Sequence, residues 1–313
     1  MTILAGQASG STAVNLSKLP FPAVIEAISF EAIVAEAKAL LVAEVTAEDA
    51  TAGAALEATL QLESEPLVKL IEIFAYREVM LRQRINDAAR AVTLAYAVGP
   101  DLDHLVALLG VQRLELSPES PDGLTPAVFE SDEALRRRAL LAPEAFSVAG
   151  PEGAYIFHAL DASGDVLDAS ATSPDPGVVL VTVLSRLDGG EPSAVLLDLV
   201  EARVSAEDVR PLTDQVVVAA AEIIEYAIEA EITTFAGPDS ELVLVEAQRR
   251  VEEYRDACFR LGRDATRSGI IAALFPEGVQ NVNLVSPAAN VVVSRQQAAR
   301  CTGIILTHAG LGE

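Results

Sequence analysis

Asp101, Asp103 and His104 group two carboxylates with a histidine, so D-L-D-H is the first place to look for chemistry. A metal site collects three or four convergent ligands. Here Asp101 has a competing role, because it follows Gly99-Pro100 and is a good N-cap for a short helix over Leu102–Leu109, which Gly110 closes. His104 falls in the first turn of that helix, and the grouping reads as a capped turn. His158 lies within an apolar helix and reads as a hydrogen-bonded core or interface residue; His308 lies in the tail. Cys258 and Cys301 have no zinc-type spacing and are too few for a disulfide framework.

Nucleophile and phosphate chemistry are equally unsupported. No G-x-S-x-G elbow occurs, nor a glycine loop ending in Gly-Lys-Ser/Thr. Gly150/Gly153 and Gly189/Gly190 sit in turns without the strand-to-helix context of a dinucleotide site. With 46 acids, chance carboxylate pairs are inevitable, so no pair stands out as acid and base. The pattern therefore assigns no catalytic, cofactor-binding or metal-binding residue and predicts a protein that is not an enzyme. A soluble enzyme with a helical extension would need a convergent pocket, which this pattern does not offer.

Two arginine groups oppose the overall charge. Arg136, Arg137 and Arg138 form a run on one helix, and Arg249, Arg250, Arg255, Arg260, Arg263 and Arg267 line another and its exit. One reading is intramolecular pairing with acids such as Glu252, Glu253 and Asp256. The other is an interface with an acidic face of another subunit, a copy of this chain included.

The elements that would position such surfaces are legible. Leu67–Val98 contains no Gly and no Pro. As a helix it would run ~32 residues, or ~48 Å. Apolar residues recur at helical steps, at Leu67, Leu70/Ile71, Phe74, Leu81, Ile85, Ala88, Val92 and Ala95/Tyr96. Glu65-Pro66 suits its start and Gly99-Pro100 its end. So long a helix must bury its stripe against a bundle or a partner chain. Leu19-Pro20-Phe21-Pro22 reads as an extended arm whose Leu19, Phe21 and Ile25 lie against an apolar surface. Ser29 caps a helix to about Val45, and Thr46 with Asp49 resembles a capping box opening a second helix to about Leu62.

Beyond Ser131 the pattern turns α+β. Strands are predicted at Val166–Thr172, Val178–Leu184, Gln215–Val218, Tyr226–Phe235, Val279–Val285 and Thr302–Thr307, with helices at Ala154–Leu160, Ser193–Val204, Glu241–Leu261 and Arg267–Phe275. Val166, Ala169 and Ser173-Pro174 share a register with Val279, Val282 and Ser286-Pro287, each after a helix ending in Ala-Leu or the like. This reads as a degenerate duplication of a helix–strand–strand unit. The expected organisation is an extended arm over 1–28, a helical bundle region over 29–113, an acidic Pro-rich loop over 114–130, a first α+β domain over 131–222 and a second over 223–313.

Composition narrows the function classes. Lys+Arg 22 against Asp+Glu 46 gives a net charge of −24, which repels phosphate and argues against nucleic acid. No apolar run reaches the ~18 residues of a membrane helix. The N-terminus shows no secretory pattern, and a cytoplasmic site of synthesis is expected.

Several ordered motifs together resemble the baseplate J-like proteins. Ser64–Arg113 is similar to their central signature, including Gly99, Leu102-Asp103 and Gly110-Val111-Gln112-Arg113. D-E-x-L-R-x-R stands at Asp132–Arg138, A-G-x-x-x-x-Y at Ala149-Gly150 and Tyr155, and S-A-E-D-V-R-P-L-T-D at Ser205–Asp214 resembles the branch found in temperate contractile phages. The resemblance implies a structural role in the virion tail baseplate, with no catalytic residue to transfer. It implies a wedge that repeats sixfold around the tail hub. The partners implied are a second wedge protein, a small wedge protein linking to sheath or hub, and copies of the chain itself, in a hetero-oligomer. A headless, tail-derived bacteriocin or injection machine would use the same role. The expected contact residues are Leu19, Phe21, Leu67, Ile71, Phe74, Leu81, Ile85 and Val92, with Arg136, Arg137 and Arg138.

Overall fold

The structure, a computed structural model, describes residue 16 and residues 19–147, 149–237 and 239–312. The expected arm therefore lies outside the described residues at 1–15, 17 and 18. The chain divides into two compact units, one over Asn15–Leu108 and one carried by Leu109–Glu313. The fold is α+β with helices first, as the sequence predicts.

The first unit is helical. α1 (Phe30–Glu48) starts at Ser29, whose Oγ accepts from the Ala32 N–H. It runs past Thr46, because the Thr46 hydroxyl donates back to the Val42 carbonyl and stays within the helix. Asp49 is the cap instead, accepting from the N–H groups of Thr51 and Ala52 at the start of α2 (Ala50–Thr59). This corrects the expected boundary at Thr46. α3 (Pro66–Ala91) places Pro66 in its first turn, where a missing N–H costs nothing. It is 26 residues long, about 39 Å, and ends before the predicted Val98. The Thr93 hydroxyl bonds back to the Arg90 carbonyl, and a run of turns follows. α4 (Pro100–Ala107) is capped by Gly99 at φ 54°, with Asp101 inside the first turn, a second correction. Leu60, Val68 and Ile71 form this unit's core, with Val34, Ala37, Leu41, Leu56 and Leu67 against them.

In the second unit, the predicted loop at 114–130 carries a small antiparallel pair, β1 (Glu115–Ser117) and β2 (Val128–Phe129). Ser131 caps α5 (Asp132–Ala145). α6 (Glu152–Ala162) is buried at every position from Gly153 to Leu160, which explains its lack of a polar face. β3 (Val166–Thr172), β4 (Val178–Ser185), α7 (Ala194–Val204) and β5 (Gln215–Ala220) follow. β4 is central, antiparallel to β3 and parallel to β5 through the α7 crossover.

The last region comprises β6 (Glu222–Phe235), α8 (Ser240–Cys258), α9 (Arg267–Ala273), β7 (Val279–Ser286) and β8 (Gln297–Gly312). Its sheet order is β7-β6-β8, with β6 antiparallel to β7 and parallel to β8. Alternate β6 residues Tyr226, Ile228, Ala230 and Ile232 pack on Val243, Ala247 and Val251 of α8 and on Ile270 and Leu274. A plain duplication would place β7 beside β8 as β3 lies beside β4. Instead β6 separates them, so the shared V-x-x-(A/V) register does not mark a copied unit.

The two sheets meet at a joint. Asp168 of β3 is buried, with one oxygen accepting from the Arg137 guanidinium at 2.5 Å and the other from the Leu261 N–H at 3.0 Å. Leu184, Ala221, Leu261 and Ala298 form a small core beside it. The Ser170 hydroxyl donates to the Arg295 carbonyl, and the Gln296 amide to Thr172.

Candidate assembly interface

α3 is amphipathic twice over. Val68 and Ile71 face α1 and α2, while a second stripe carries Leu70, Phe74, Leu81 and Ile85 outward, continued by Val92 at the C-cap. Phe74, Leu81 and Ala88 are seven apart, as are Ile71, Glu78, Ile85 and Val92, the spacing of a helix seam that meets another helix. Ile71 is only 8% exposed, whereas Phe74 is 61%, Leu81 65%, Ile85 54% and Val92 71% exposed. The seam is closed at its start and open from Phe74 on. Glu78 is the polar break in it, held by Arg82 at 2.5 Å. Of the expected contact residues, Leu67 and Ile71 thus belong to the unit's own core.

The arm lies on the same helix. Phe21 stacks on Tyr96 with ring centroids 4.6 Å apart, and the Arg90 guanidinium sits 5.9 Å over the Phe21 ring. The Tyr96 hydroxyl donates to the Leu19 carbonyl at 2.8 Å. Buried Asn86 fastens the segment, its Oδ1 accepting from the Glu26 N–H and its Nδ2 donating to the Glu26 carbonyl. Removing that amide leaves two backbone groups without partners, at about 1–3 kcal/mol each if they stay buried. Asn86→Ala should therefore free residues 19–28. Hydrogen exchange there should rise while α3 stays protected, and unchanged protection would refute the fastening.

The arginine run is not a solvated face. The Arg138 side chain is 3% exposed and pairs with the equally buried Glu130 at 2.5 Å and with Asp161 at 2.7 Å, and also donates to the Gln112 carbonyl. Glu130 in turn accepts from the Leu114 N–H at 3.0 Å. Arg113 reaches the Glu130 carbonyl and the Asp132 carboxylate, both at 2.7 Å. With Arg137 on Asp168, two of the three arginines act inside the unit, a correction to their expected role as contacts. Arg136 is half-buried on the same helix. Asn86, Glu130 and Asp168 were not legible as anchors. The one available signal was a single acid within the otherwise uncharged V-L-D-A-S-A-T strand.

On α8 the charges pair along the helix, Arg249 with Glu246 and Glu253, Arg250 with Glu246, and Arg255 with Asp256. The two arginines hold the Glu246 carboxyl down at about 2. Arg267 donates to the Leu284 and Pro287 carbonyls. His104 is exposed, and His308 Nε2 lies 3.1 Å from the Thr234 hydroxyl. Among the described residues no group of three His, Cys, Asp or Glu could hold a metal, and no helix is long and apolar enough to cross a membrane.

His158 is buried against Phe157, and its Nδ1 has no hydrogen-bond partner among the described residues. Burial first, and the Arg203 cation second, hold the imidazole below its ordinary value. The unfolded chain therefore binds the proton more readily, so stability is lost as pH falls from ~6.5 toward the lowered native value. His158→Phe should flatten that slope in denaturation curves. An unchanged slope would assign it to other groups.

Residues 63–120 match the Baseplate J-like N-terminal domain and residues 147–220 the Baseplate J-like central domain. The chain is 45% identical over 302 residues to "Baseplate protein J" of Escherichia phage P2, covering 96% of this chain and 99% of that protein. Among solved structures, it is similar to a chain in the 6-fold symmetrised baseplate of the anti-feeding prophage. That likeness has a TM-score of 0.36 and 18% identity, and covers 56% of this chain and 43% of that one. The two matched domains enclose α3, the Gly110–Arg113 turn and the first sheet, and the chain belongs to the baseplate J-like family of phage tail baseplate structural proteins.

Proposed function

We propose that this chain is a non-enzymatic wedge component of a contractile-tail baseplate. It joins a second wedge protein through the open seam of α3 and meets neighbouring copies through its α+β unit, closing a sixfold ring around the tail hub. The observation that carries the reading is the seam itself: Phe74, Leu81 and Ile85 project from one helix, Val92 caps its end, and all four stand exposed among the described residues. Each buried large apolar side chain contributes roughly 1.5–3 kcal/mol, so four in a row form a strong helix-docking site. The second unit, tied internally by Arg138, Arg113 and Asp168, would transmit load between neighbours without opening. A headless tail-derived particle would use the chain identically. Electron cryomicroscopy of the tails should show a helix of another protein along Phe74–Val92. A solvent-facing seam in the assembled baseplate would contradict the docking.

A further inference from the structure

Each acid on α3 is already answered by a cation of the same helix. Glu72 pairs with Lys69 at 3.0 Å, Glu78 with Arg82 at 2.5 Å and Asp87 with Arg90 at 3.1 Å. Two cations are left over, Arg77 and Arg84, both exposed and without an ion pair or hydrogen bond among the described residues. They stand seven residues apart, about two turns, on one face of the helix. At about 3.6 residues per turn they fall between Ile73 and Met80 on one side and Phe74, Leu81 and Ile85 on the other, all five exposed. The two charges therefore lie within the apolar face and not at its rim. In a chain of net charge −24, acids to answer them are plentiful, yet none of the described residues is placed there.

We propose that the α3 seam takes an acidic amphipathic helix of a different protein, whose carboxylates, one heptad apart, pair with Arg77 and Arg84 while its apolar stripe covers Phe74, Leu81 and Ile85. This rests on the reading that the seam docks a wedge partner. Covering the seam takes both guanidiniums out of bulk water, and a buried charge without a counter-charge is strongly unfavourable. A carboxylate offsets that cost with a charge-assisted, bidentate pair. A neutral apolar helix would cover the leucine and phenylalanine and strand both charges. A second α3 fits no better, because it brings two more unanswered guanidiniums and its three acids are held by its own cations. α1 carries Glu31, Glu36, Glu44 and Glu48, but its Val34, Ala37 and Leu41 already pack on Leu60, Val68 and Ile71. Two charges at a fixed spacing also set the partner's register, which an apolar stripe alone leaves free to slip by a heptad.

The test is isothermal titration calorimetry of the full chain with the neighbouring tail-gene product that co-purifies with it, repeated at rising salt. Arg77→Gln with Arg84→Gln should weaken binding about a hundredfold and remove most of its salt dependence. Arg77→Glu with Arg84→Glu should weaken it about a thousandfold or more, with circular dichroism unchanged, since neither side chain has a partner to lose. Arg77→Lys with Arg84→Lys should keep most of the affinity. Replacing the partner's two facing carboxylates by lysine should restore binding to the glutamate variant and abolish it for the wild type. Wild-type affinity in both the glutamine and glutamate variants, while Phe74→Asp with Leu81→Asp and Ile85→Asp still abolishes binding, overturns the acidic partner and leaves the docking seam standing. Wild-type affinity in all three overturns both. A complex made of two copies of this chain joined through α3 overturns the acidic partner as well. Should the glutamate variant misfold, the glutamine variant and its salt dependence decide.

Discussion

A variant carrying Phe74→Asp, Leu81→Asp and Ile85→Asp should fold as the wild type does and lose its wedge partner entirely. The three side chains are 61%, 65% and 54% exposed, so the isolated chain gives up little packing when they change. In a complex each would be buried, and three apolar side chains at roughly 1.5–3 kcal/mol apiece amount to about 5–9 kcal/mol of binding. That is about four to six orders of magnitude in affinity, before the added cost of desolvating three carboxylates. Co-purification with the neighbouring tail protein reads the outcome directly. Ile71→Asp serves as the contrast: at 8% exposure it lies in the helical unit's core and should unfold that unit rather than strip a surface. A triple variant that still co-purifies in full would remove α3 from the interface.

Arg138→Ala should be the most damaging single change in the α+β unit. It leaves Glu130 buried without its cation and takes the strongest partner from Asp161, in a network that also holds Gln112, Leu114 and Arg113. Breaking a buried pair from one side costs about 3–5 kcal/mol. For a unit of this size that is roughly 2–4 °C in Tm per kcal/mol, so a fall of about 6–20 °C is expected by differential scanning calorimetry. A fall of about 1 °C or less would mean that water replaces the lost hydrogen bonds and that the network is not structural. The G-V-Q-R and D-E-A-L-R-R-R motifs thus have a physical meaning here: Arg113 and Arg138 bind the acids that flank the Ser131 cap.

Much of the architecture was legible because it is local. Ser29 caps a helix as read, the helix predicted over Ser193–Val204 stands at Ala194–Val204 with Ser193 as its cap, and Pro66 starts α3. The alternation through Tyr226–Phe235 matches β6, whose odd and even positions face solvent and core in turn. What failed depends on partners far along the chain. Nothing in the Val279–Val285 pattern says that β6 will sit between β7 and β8. β8 extends well beyond its predicted Thr302–Thr307, because parallel pairing to β6 carries it through Gly303 and Gly310 despite their weak strand preference. The arginine run left pairing within the chain and an interface both open, because its partners lie in other segments. Glu130, Asp161 and Asp168, brought in from three other segments, neutralise it.

The site was less legible than the fold. Periodicity marked the apolar positions of the long helix but not which of them the chain would cover itself; α1 and α2 decide that by closing over Leu67 and Ile71. Asn86 shows the same limit. As a polar residue among charged neighbours it looks solvent-facing, yet it is buried by the arm that it holds.

Whether the chain works only as part of a baseplate is tested most directly by native mass spectrometry of the tagged full chain, alone and co-expressed with the products of its neighbouring tail genes. A stoichiometric complex with another tail protein, lost in the Phe74/Leu81/Ile85 variant, is the predicted result. A monomer that ignores every neighbouring product would contradict it.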